Sequence, residues 1–290
     1  MNRRDFLRTS AALGSGALAS HRFPYEAFAG PTPKHATDLV TLGRTGIKVS
    51  RLAQGTGTNG VERSSNQIRG LGFQGVADLL RTGVDNGVNF WDLADQYGSH
   101  PHARQALRAV DRDKVVIMTK TRASTEAEMR ADLDRFRKEM GTDRIDIVLL
   151  HCMTEDDWPR TKAGAMAVLS EAKQKGTIRA HGVSCHGFGA LKTAAATDWV
   201  EVDLARYNAA GAVMDAPPPQ VLKVLKRMKA RGKGIIGMKI LGAGQLRNHV
   251  DEALQVALGT EALDCFTIGA ESQTEFLALL KKIPPASVRA

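Results

Sequence analysis

Short apolar runs with β character recur along the chain after residue 40, and amphipathic helical stretches separate them. The predicted strands are Arg51–Thr56, Asn89–Ala94, Val115–Lys120, Ile145–His151, Ile178–Ser184, Glu201–Asn208, Gly234–Ile240 and Leu263–Gly269. Several are almost continuously apolar, as in the segments 115–118 (VVIM) and 147–150 (IVLL). This pattern is typical of parallel strands that are buried on both faces by helices.

Two of the intervening stretches carry complete helix signals. Thr125 and Glu128 form a capping box, and Gly141 ends the amphipathic stretch that follows. Its apolar stripe consists of Met129, Leu133, Phe136 and Met140. A second stripe, which ends before Gly232, consists of Val221, Val224, Leu225 and Met228.

Strands that alternate with helices predict βαβ units and a parallel sheet. Eight such units close into a (β/α)8 TIM barrel, which needs about 250 residues, and the chain has 290. An open, doubly wound sheet is the alternative, but it usually has a Gly-rich turn after its first strand. We therefore predict an α/β protein with a single barrel domain over residues 40–290.

The first residues have a different character. Asn2–Arg8 (NRRDFLR) resembles a bacterial twin-arginine motif, and the weakly apolar stretch Ala11–Ala19 is too short to span a membrane. Ala27–Ala29 (AFA) has the pattern of a cleavage site. We interpret residues 1–29 as an export signal and residues 30–39 as a linker; a disordered basic tail is the alternative. The signal predicts export to the periplasm in the folded state through the export machinery, without a stable membrane span.

Composition and charge add little that is specific. The net charge of +9 suits an anionic ligand such as a dinucleotide, and equally a soluble surface. No basic run is interleaved with aromatic residues, so nucleic-acid binding has little support. The cysteines Cys152, Cys185 and Cys265 form no CxxC pair, so we predict buried thiols and no metal site.

Polar residues end three consecutive predicted strands. Asp92, Lys120 and His151 lie there, and Tyr97 follows Asp92 in the next loop. Barrel enzymes place their chemistry at these carboxyl ends, and neighbouring strands are about 4.8 Å apart. Lys120 needs a carboxylate, because an unpaired buried ammonium is costly, and Asp92 can supply it. A histidine after an apolar strand can also be a satisfied core residue.

Together these four residues suggest the reduction of a carbonyl group. Hydride transfer leaves a negative oxygen, which must receive a proton. A nearby Lys120 is expected to lower the pKa of Tyr97 from about 10, which makes Tyr97 a candidate general acid. His151 can stabilise the developing charge through a hydrogen bond.

Three segments carry a resemblance to the aldo-keto reductases: Asp92–Gly98 (DLADQYG), Met118–Lys120 (MTK) and Leu149–His151 (LLH). The likeness extends from Leu42–Gly46 (LGRTG) to Ile268–Ala270 (IGA). The resemblance implies a (β/α)8 barrel, carbonyl reduction or its reverse, and the cofactor NADP(H). It also implies a catalytic tetrad of Asp92, Tyr97, Lys120 and His151.

The resemblance also implies a nicotinamide site, from which this sequence departs. The segment 182–184 (GVS) resembles the part that holds the carboxamide, but the family's Asn, Gln and stacking aromatic are Cys185, Leu204 and Met238. The remaining candidate groups are Ser184, Gly55, Thr56 and Asn208.

The segment 241–246 (LGAGQL) resembles the loop that wraps the cofactor's pyrophosphate, although a plain βα turn is an alternative. Its candidate contacts are Leu241, Gly242, Gly244 and Leu246. After Gly269, Glu271 stands where the family often has a cation for the 2′-phosphate, so NAD(H) is possible.

Three hypotheses follow. The first is an oxidoreductase acting on a small aldehyde, ketone or sugar, with a cofactor that stays bound after export. The second is a non-redox lyase or epimerase, and the third is a ligand-binding module. His100, His102 and Trp158 are expected either to line the substrate site or to be solvated loop residues.

Overall fold

Eight parallel strands close into a barrel behind an N-terminal hairpin in the computed structural model, which describes residues 32–288. The interpretation of residues 1–29 as an export signal lies outside the described residues. The hairpin strands β1 (Leu39–Thr41) and β2 (Lys48–Ser50) are antiparallel. Leu42 and Ile47, between them, are fully buried inside the barrel. The amide of Arg44 donates to the carbonyl of Gly232, just before the barrel strand that begins at Gly234, so the hairpin covers the amino ends of the strands.

The barrel strands follow one another in chain order, each parallel to its neighbours. They are β3 (Leu52–Gly55), β4 (Phe90–Asp92), β5 (Val116–Thr121), β6 (Ile145–Met153), β7 (Ile178–Cys185), β8 (Val202–Arg206), β9 (Gly234–Met238) and β10 (Cys265–Ile268). The barrel closes where β10 pairs with β3, with Phe266 opposite Leu52. This closure confirms the predicted (β/α)8 barrel and excludes an open sheet.

Helices connect successive strands and cover the outside of the barrel. They are Asn66–Asp85, His100–Leu107, Glu126–Met140, Trp158–Thr161, Ala163–Gln174, Phe188–Ala196, Pro218–Ala230, Val250–Gly259 and Gln273–Ser287. The predicted capping box of Thr125 and Glu128 is present, and Gly141 ends its helix with a φ of 66°. Among residues 32–288, no helix is both long enough and apolar enough to cross a membrane.

Strand residues alternate between two cores, as the period of a β-strand requires. One core fills the barrel, and the second, larger core lies between the strands and the helices. Met118 and Leu149 point into the barrel. Because the alternation continues, Lys120 and His151 also face the barrel axis, at its carboxyl end. The fold thus places the predicted polar strand ends on one inner surface.

One acidic side chain lies in the outer core. Asp203 of β8 is fully buried, and within the described part of the chain neither carboxylate oxygen has a hydrogen-bond partner that meets ordinary geometry. Burial raises the pKa of Asp203 to about 7, although the neighbouring Cys185 thiol and the charge of Lys233 oppose this shift. Asp203 is therefore a protonated or half-protonated acid at neutral pH.

Candidate active site

The Lys120 ammonium is completely buried and lies against the Asp92 carboxylate. Lys120 Nζ also donates to the carbonyl oxygen of Leu93 at 2.9 Å. The second oxygen of Asp92 accepts from the Thr267 hydroxyl at 2.8 Å. Burial alone would lower the pKa of Lys120, but Asp92 and Tyr97 outweigh it and raise this pKa. Lys120 is therefore a fixed positive charge at the carboxyl end of the barrel.

Tyr97 lies directly beside this charge. It ends a short 3-10 helix, Asp95–Tyr97, and Lys120 Nζ lies 4.7 Å from the centre of its ring. The ring is also clamped by glycine backbone. A Cβ atom at Gly57 or Gly60 would lie only 2.3 Å from a ring carbon of Tyr97. Both positions therefore require glycine, which sequence analysis missed although the run GTGTNG (55–60) is visible there.

Burial raises the pKa of Tyr97 above its ordinary value of 10, although Lys120 acts in the opposite direction. The expectation that Lys120 would lower this pKa overall is therefore wrong. The cost of burying a phenolate exceeds the attraction of one ammonium that already has a carboxylate partner. At neutral pH the phenol keeps its proton, so Tyr97 is suited to donate one.

The His151 ring also packs against Tyr97. Its ring centre is 5.5 Å from that of Tyr97, nearly perpendicular to it at 84°. The side chain is almost fully buried, and its Nδ1 has no hydrogen-bond partner within residues 32–288. Burial, and then the charge of Lys120, lower the pKa of His151 well below its usual range. His151 is therefore a neutral imidazole, which can donate one hydrogen bond to a substrate oxygen.

Beyond His151 the site contains residues that sequence analysis did not single out. The His186 ring centre is 6.1 Å from that of His151. Arg206 Nη2 lies 2.6 Å from His186 Nδ1, and Arg206 Nη1 donates to Asp215 at 3.0 Å. His186 directly follows strand β7, and Arg206 is the last residue of β8. The rule that barrel chemistry lies at the carboxyl ends of strands would therefore have found both residues.

Cys152 adjoins the same group from strand β6. Its backbone is left-handed, with a φ of 61°, where the register between β6 and β7 shifts. Its sulfur lies 3.8 Å from His186 Nε2. Burial raises the pKa of the Cys152 thiol, against the effect of Arg122. The thiol is thus half-buried in the site, not part of the core as predicted.

Among the residues predicted to bind the cofactor, Ser184 has a polar side chain whose hydroxyl is available for a hydrogen bond. It is fully buried, and in the described chain its hydroxyl oxygen has no partner. A carboxamide hydrogen-bonded to this hydroxyl would satisfy it. Cys185 belongs to the outer core, whereas Leu204 and Met238 belong to the barrel interior. The site therefore fits a nicotinamide through Ser184, without the usual Asn and Gln.

Thr56 and Asn208 are occupied by internal hydrogen bonds. The amide and hydroxyl of Thr56 both donate to the carbonyl oxygen of Asp92, at 3.1 and 2.9 Å. The Asn208 amide group donates to the carbonyls of Ala212 and Lys239. Thr56 and Asn208 hold loops in place, and do not present free groups that could replace the missing carboxamide contacts.

The loop 241–246 is tightly curled. Three consecutive residues are left-handed, Gly242 at 54°, Ala243 at 53° and Gly244 at 91°. The amide of Leu246 donates to the carbonyl of Leu241 at 3.1 Å and closes the curl. Both leucines pack against the outer core. Such a run of positive φ angles explains the glycines.

The far end of the predicted cofactor site lies beside strand β10. A Cβ atom at Gly55 would lie 3.0 Å from the amide nitrogen of Gly269, so these two backbones are in close contact. Glu271 is exposed, and its Oε1 accepts a hydrogen bond from the Asn66 amide at 2.8 Å. Glu271 thus places an exposed carboxylate, which already has an amide partner, just after the end of β10.

His100 and Trp158 lie outside the site, in the outer layer. His100 is fully buried between the Glu139 carboxylate and the Thr119 hydroxyl, at 2.8 and 2.7 Å. Trp158 is also buried and donates to the carbonyl of Ala190 at 3.3 Å. His102 is buried with its ring 4.9 Å from that of Phe73. All three are packing residues, so neither expectation for them was right.

A (β/α)8 barrel that carries a half-buried Tyr beside a buried Lys–Asp pair and a neutral His at its carboxyl end has the groups of a carbonyl oxidoreductase. The sequence profile of the aldo/keto reductase family matches residues 52–282. The chain belongs to this family, which implies an oxidoreductase.

Known proteins of this family are similar to the chain at low identity. It is 24% identical over 220 residues to a D-threo-aldose 1-dehydrogenase from a Pseudomonas species; the match covers 64% of this chain and 66% of that protein, slightly less than two thirds. An aldo-keto reductase structure from Pseudomonas aeruginosa matches with a TM-score of 0.71 and 22% identity, covering 87% of this chain and 97% of that chain. The holo form of a Bacillus halodurans aldo-keto reductase gives 0.69 and 18%, covering 85% and 91%.

Proposed function

We propose that this protein reduces a carbonyl compound with a nicotinamide cofactor, with Tyr97 as the general acid. The observation that carries the proposal is the contact between a protonated, glycine-clamped Tyr97 and the buried Lys120–Asp92 pair, with neutral His151 packed against the Tyr97 ring. When bound, NADPH or NADH would supply the hydride. The proton would come from this chain.

The roles of the four residues follow from their surroundings. A carbonyl oxygen between Tyr97 and His151 would accept hydrogen bonds from both, and the growing negative charge would draw the proton from Tyr97. Lys120 stabilises the phenolate that is left, because its charge lies 4.7 Å from the ring centre. Asp92 keeps Lys120 in place and compensates its charge in the buried site.

The residues that would hold the cofactor are Ser184 for the carboxamide and the loop 241–246 for the pyrophosphate. The preference between NADPH and NADH depends on Glu271. Because Glu271 already binds Asn66 and repels a 2′-phosphate, we propose that the protein accepts NADH at least as well as NADPH.

The substrate is proposed to be a small aldehyde, ketone or sugar. A relative named for oxidising an aldose supports this class, since the same site can run in either direction. A non-redox lyase or epimerase is a second candidate. The observation that favours it is the loss of carboxamide contacts, because Leu204 is apolar and the side chain of Asn208 is used elsewhere.

The first experiment is a titration of the purified protein with NADH and NADPH, followed by tryptophan fluorescence. Saturable binding in the micromolar range or tighter supports the oxidoreductase. The absence of binding to either, in folded and nucleotide-free protein, would contradict it and leave the non-redox candidate or a ligand-binding module.

The second experiment removes the proton donor. Tyr97→Phe should lower kcat for aldehyde reduction by about 10²–10⁴-fold, with little change in cofactor affinity. Tyr207→Phe is the matched control, since Tyr207 is a buried tyrosine of the outer core. Full activity in Tyr97→Phe would contradict the assigned role. If the wild-type protein shows no catalysis and Tyr97→Phe binds the ligand as tightly as the wild type, the protein is a ligand-binding module.

We also propose export to the periplasm through the segment 1–29, with the cofactor already bound. Replacing Arg3 and Arg4 by lysine should retain the protein in the cytoplasm, as measured by cell fractionation. Rapid and complete loss of nucleotide on dialysis of protein from its own host would contradict the tightly bound cofactor.

A further inference from the structure

Positive charge surrounds one side of the active site. The ring of His186 lies next to His151, and its pKa is lowered to about 3, first by burial and then by nearby cations. These cations are Arg206, Lys239, Lys120 and Arg122. They come from different strands, since Arg122 follows β5 and Lys239 follows β9. Positively charged side chains from separate parts of the chain thus act on one imidazole at the carboxyl end of the barrel.

Only half of this charge is compensated. Lys120 is paired with Asp92, and Arg206 with Asp215. Arg122 and Lys239 have no ion pair with a carboxylate anywhere in residues 32–288. Arg206 also keeps a buried Nε without a partner in that range. Arg122 is exposed and Lys239 is half-buried, so the carboxyl end of the barrel presents positive charge without a carboxylate partner, to which an anionic ligand would be attracted.

A metal ion is the competing occupant. The potential ligand atoms of His151, Cys152 and His186 all lie within 4.8 Å of one another. However, a guanidinium has only donors, so His186 Nδ1 accepts from Arg206 and Nε2 carries the ring hydrogen. That hydrogen, and the surrounding cations, oppose a divalent cation. The same groups offer hydrogen bonds and charge to an anion.

We propose that Arg122, His186 and Arg206 bind a carboxylate or phosphate group of the substrate, so that the substrate is an oxo acid or a phosphorylated aldehyde. This inference rests on the proposed reductase function. The ring centres of Tyr97 and His151 are 5.5 Å apart, and those of His151 and His186 are 6.1 Å apart. A substrate whose carbonyl lies at Tyr97 and His151 therefore needs only a short chain to place its anionic group at His186.

The test compares matched substrates in the wild-type enzyme. The pairs are 4-oxobutanoate against its methyl ester, and glyceraldehyde 3-phosphate against glyceraldehyde. We expect kcat/KM to be at least tenfold higher for the charged member of one pair. A preference in the first pair indicates a carboxylate site, and a preference in the second pair indicates a phosphate site. Arg122→Gln should reduce that preference at least tenfold. Arg144→Gln is the matched control, because this half-exposed arginine precedes β6 at the amino end of the barrel, and it should keep the preference.

The outcomes separate this inference from the proposed function. Reduction of the neutral aldehydes with no preference for charged ones would overturn the anion site and leave the reductase intact. If no aldehyde is reduced, calorimetric titration of the full chain with succinate and with inorganic phosphate still tests the site. Binding that Arg122→Gln weakens at least tenfold supports it. The absence of binding, or binding of Zn²⁺ in place of either anion, overturns it.

Discussion

The buried acid Asp203 makes the stability of the barrel depend on pH in a direction that can be calculated. In the unfolded chain its carboxyl group loses its proton near its ordinary pKa of 3.8, whereas in the folded protein the pKa is about 7. Between these values the folded state binds more protons than the unfolded state. The free energy of unfolding therefore falls as the pH rises through this window.

The magnitude follows from the size of the shift. One pKa unit corresponds to about 1.4 kcal/mol. Over the roughly two units between about pH 5 and the folded-state pKa of about 7, Asp203 should therefore cost the folded protein about 2.7 kcal/mol. The loss levels off above about pH 8, where both states are ionised. Asp203→Asn cannot ionise, so its unfolding free energy should lack this part of the pH dependence.

The assay is urea unfolding of both proteins across this pH range, followed by circular dichroism. The advantage of Asp203→Asn over wild type should grow by about 2–3 kcal/mol between about pH 5 and pH 8. Any constant cost of the new amide moves the whole curve and does not affect its slope. A difference between the two proteins that is independent of pH would refute the reasoning.

Asp146 provides the matched control. It is also almost fully buried, but its oxygens accept from Arg112, Arg179 and the amide of Ile117 at 2.7 to 2.9 Å. Asp146→Asn should therefore destabilise the protein at both ends of the pH range, by about 1.5–3 kcal/mol for the hydrogen bonds to charged groups. At high pH, the free energy of unfolding is thus expected to rise in Asp203→Asn and to fall in Asp146→Asn.

Three further predictions concern the site. Because burial raises the pKa of Tyr97 above 10, kcat for reduction should stay level from about pH 6 to 9 and fall only above about pH 10, while the reverse oxidation increases with pH; a fall near pH 7 in a pH profile would contradict this. Asp92→Ala leaves the Lys120 ammonium buried without its partner and should cost about 3–5 kcal/mol in urea unfolding, whereas a change below about 1 kcal/mol would mean that water replaces the carboxylate. Glu271→Gln should raise the ratio of NADPH affinity to NADH affinity several-fold in the same fluorescence titration, and Asn66→Ala should raise it less. Equal effects of the two substitutions would show that the charge of Glu271 is not what opposes the 2′-phosphate.

The alternation of apolar strands and amphipathic helices was sufficient to predict the barrel. Strand order follows chain order in this fold, so local patterns needed no information about long-range pairing. The partnership of Lys120 and Asp92 was predictable for a related reason. The two residues end adjacent strands on the same face, and a buried ammonium leaves few other possibilities.

Contacts between loops could not be predicted in this way. Thr56 and Asn208 look like free polar groups in the sequence, but their partners are backbone carbonyls whose positions depend on the closed barrel. The direction of the pKa shift of Tyr97 depends on how deeply its ring is buried, and that burial comes from Gly57 and Gly60 in a different loop. The positions of His186 and Arg206 at strand ends were visible in the sequence, but the contact between their side chains depends on the pairing of β7 with β8.

The glycine clamp on Tyr97 limits how this enzyme can change during evolution. Any side chain at Gly57 or Gly60 would displace the ring that is proposed to donate the proton, so the loop after β3 has little freedom to vary. New substrate preferences must therefore arise in the loops after the other strands. The segment that begins at Arg122, directly after β5, has no glycine in such contact with the Tyr97 ring, and directed libraries that aim to change the substrate should begin there.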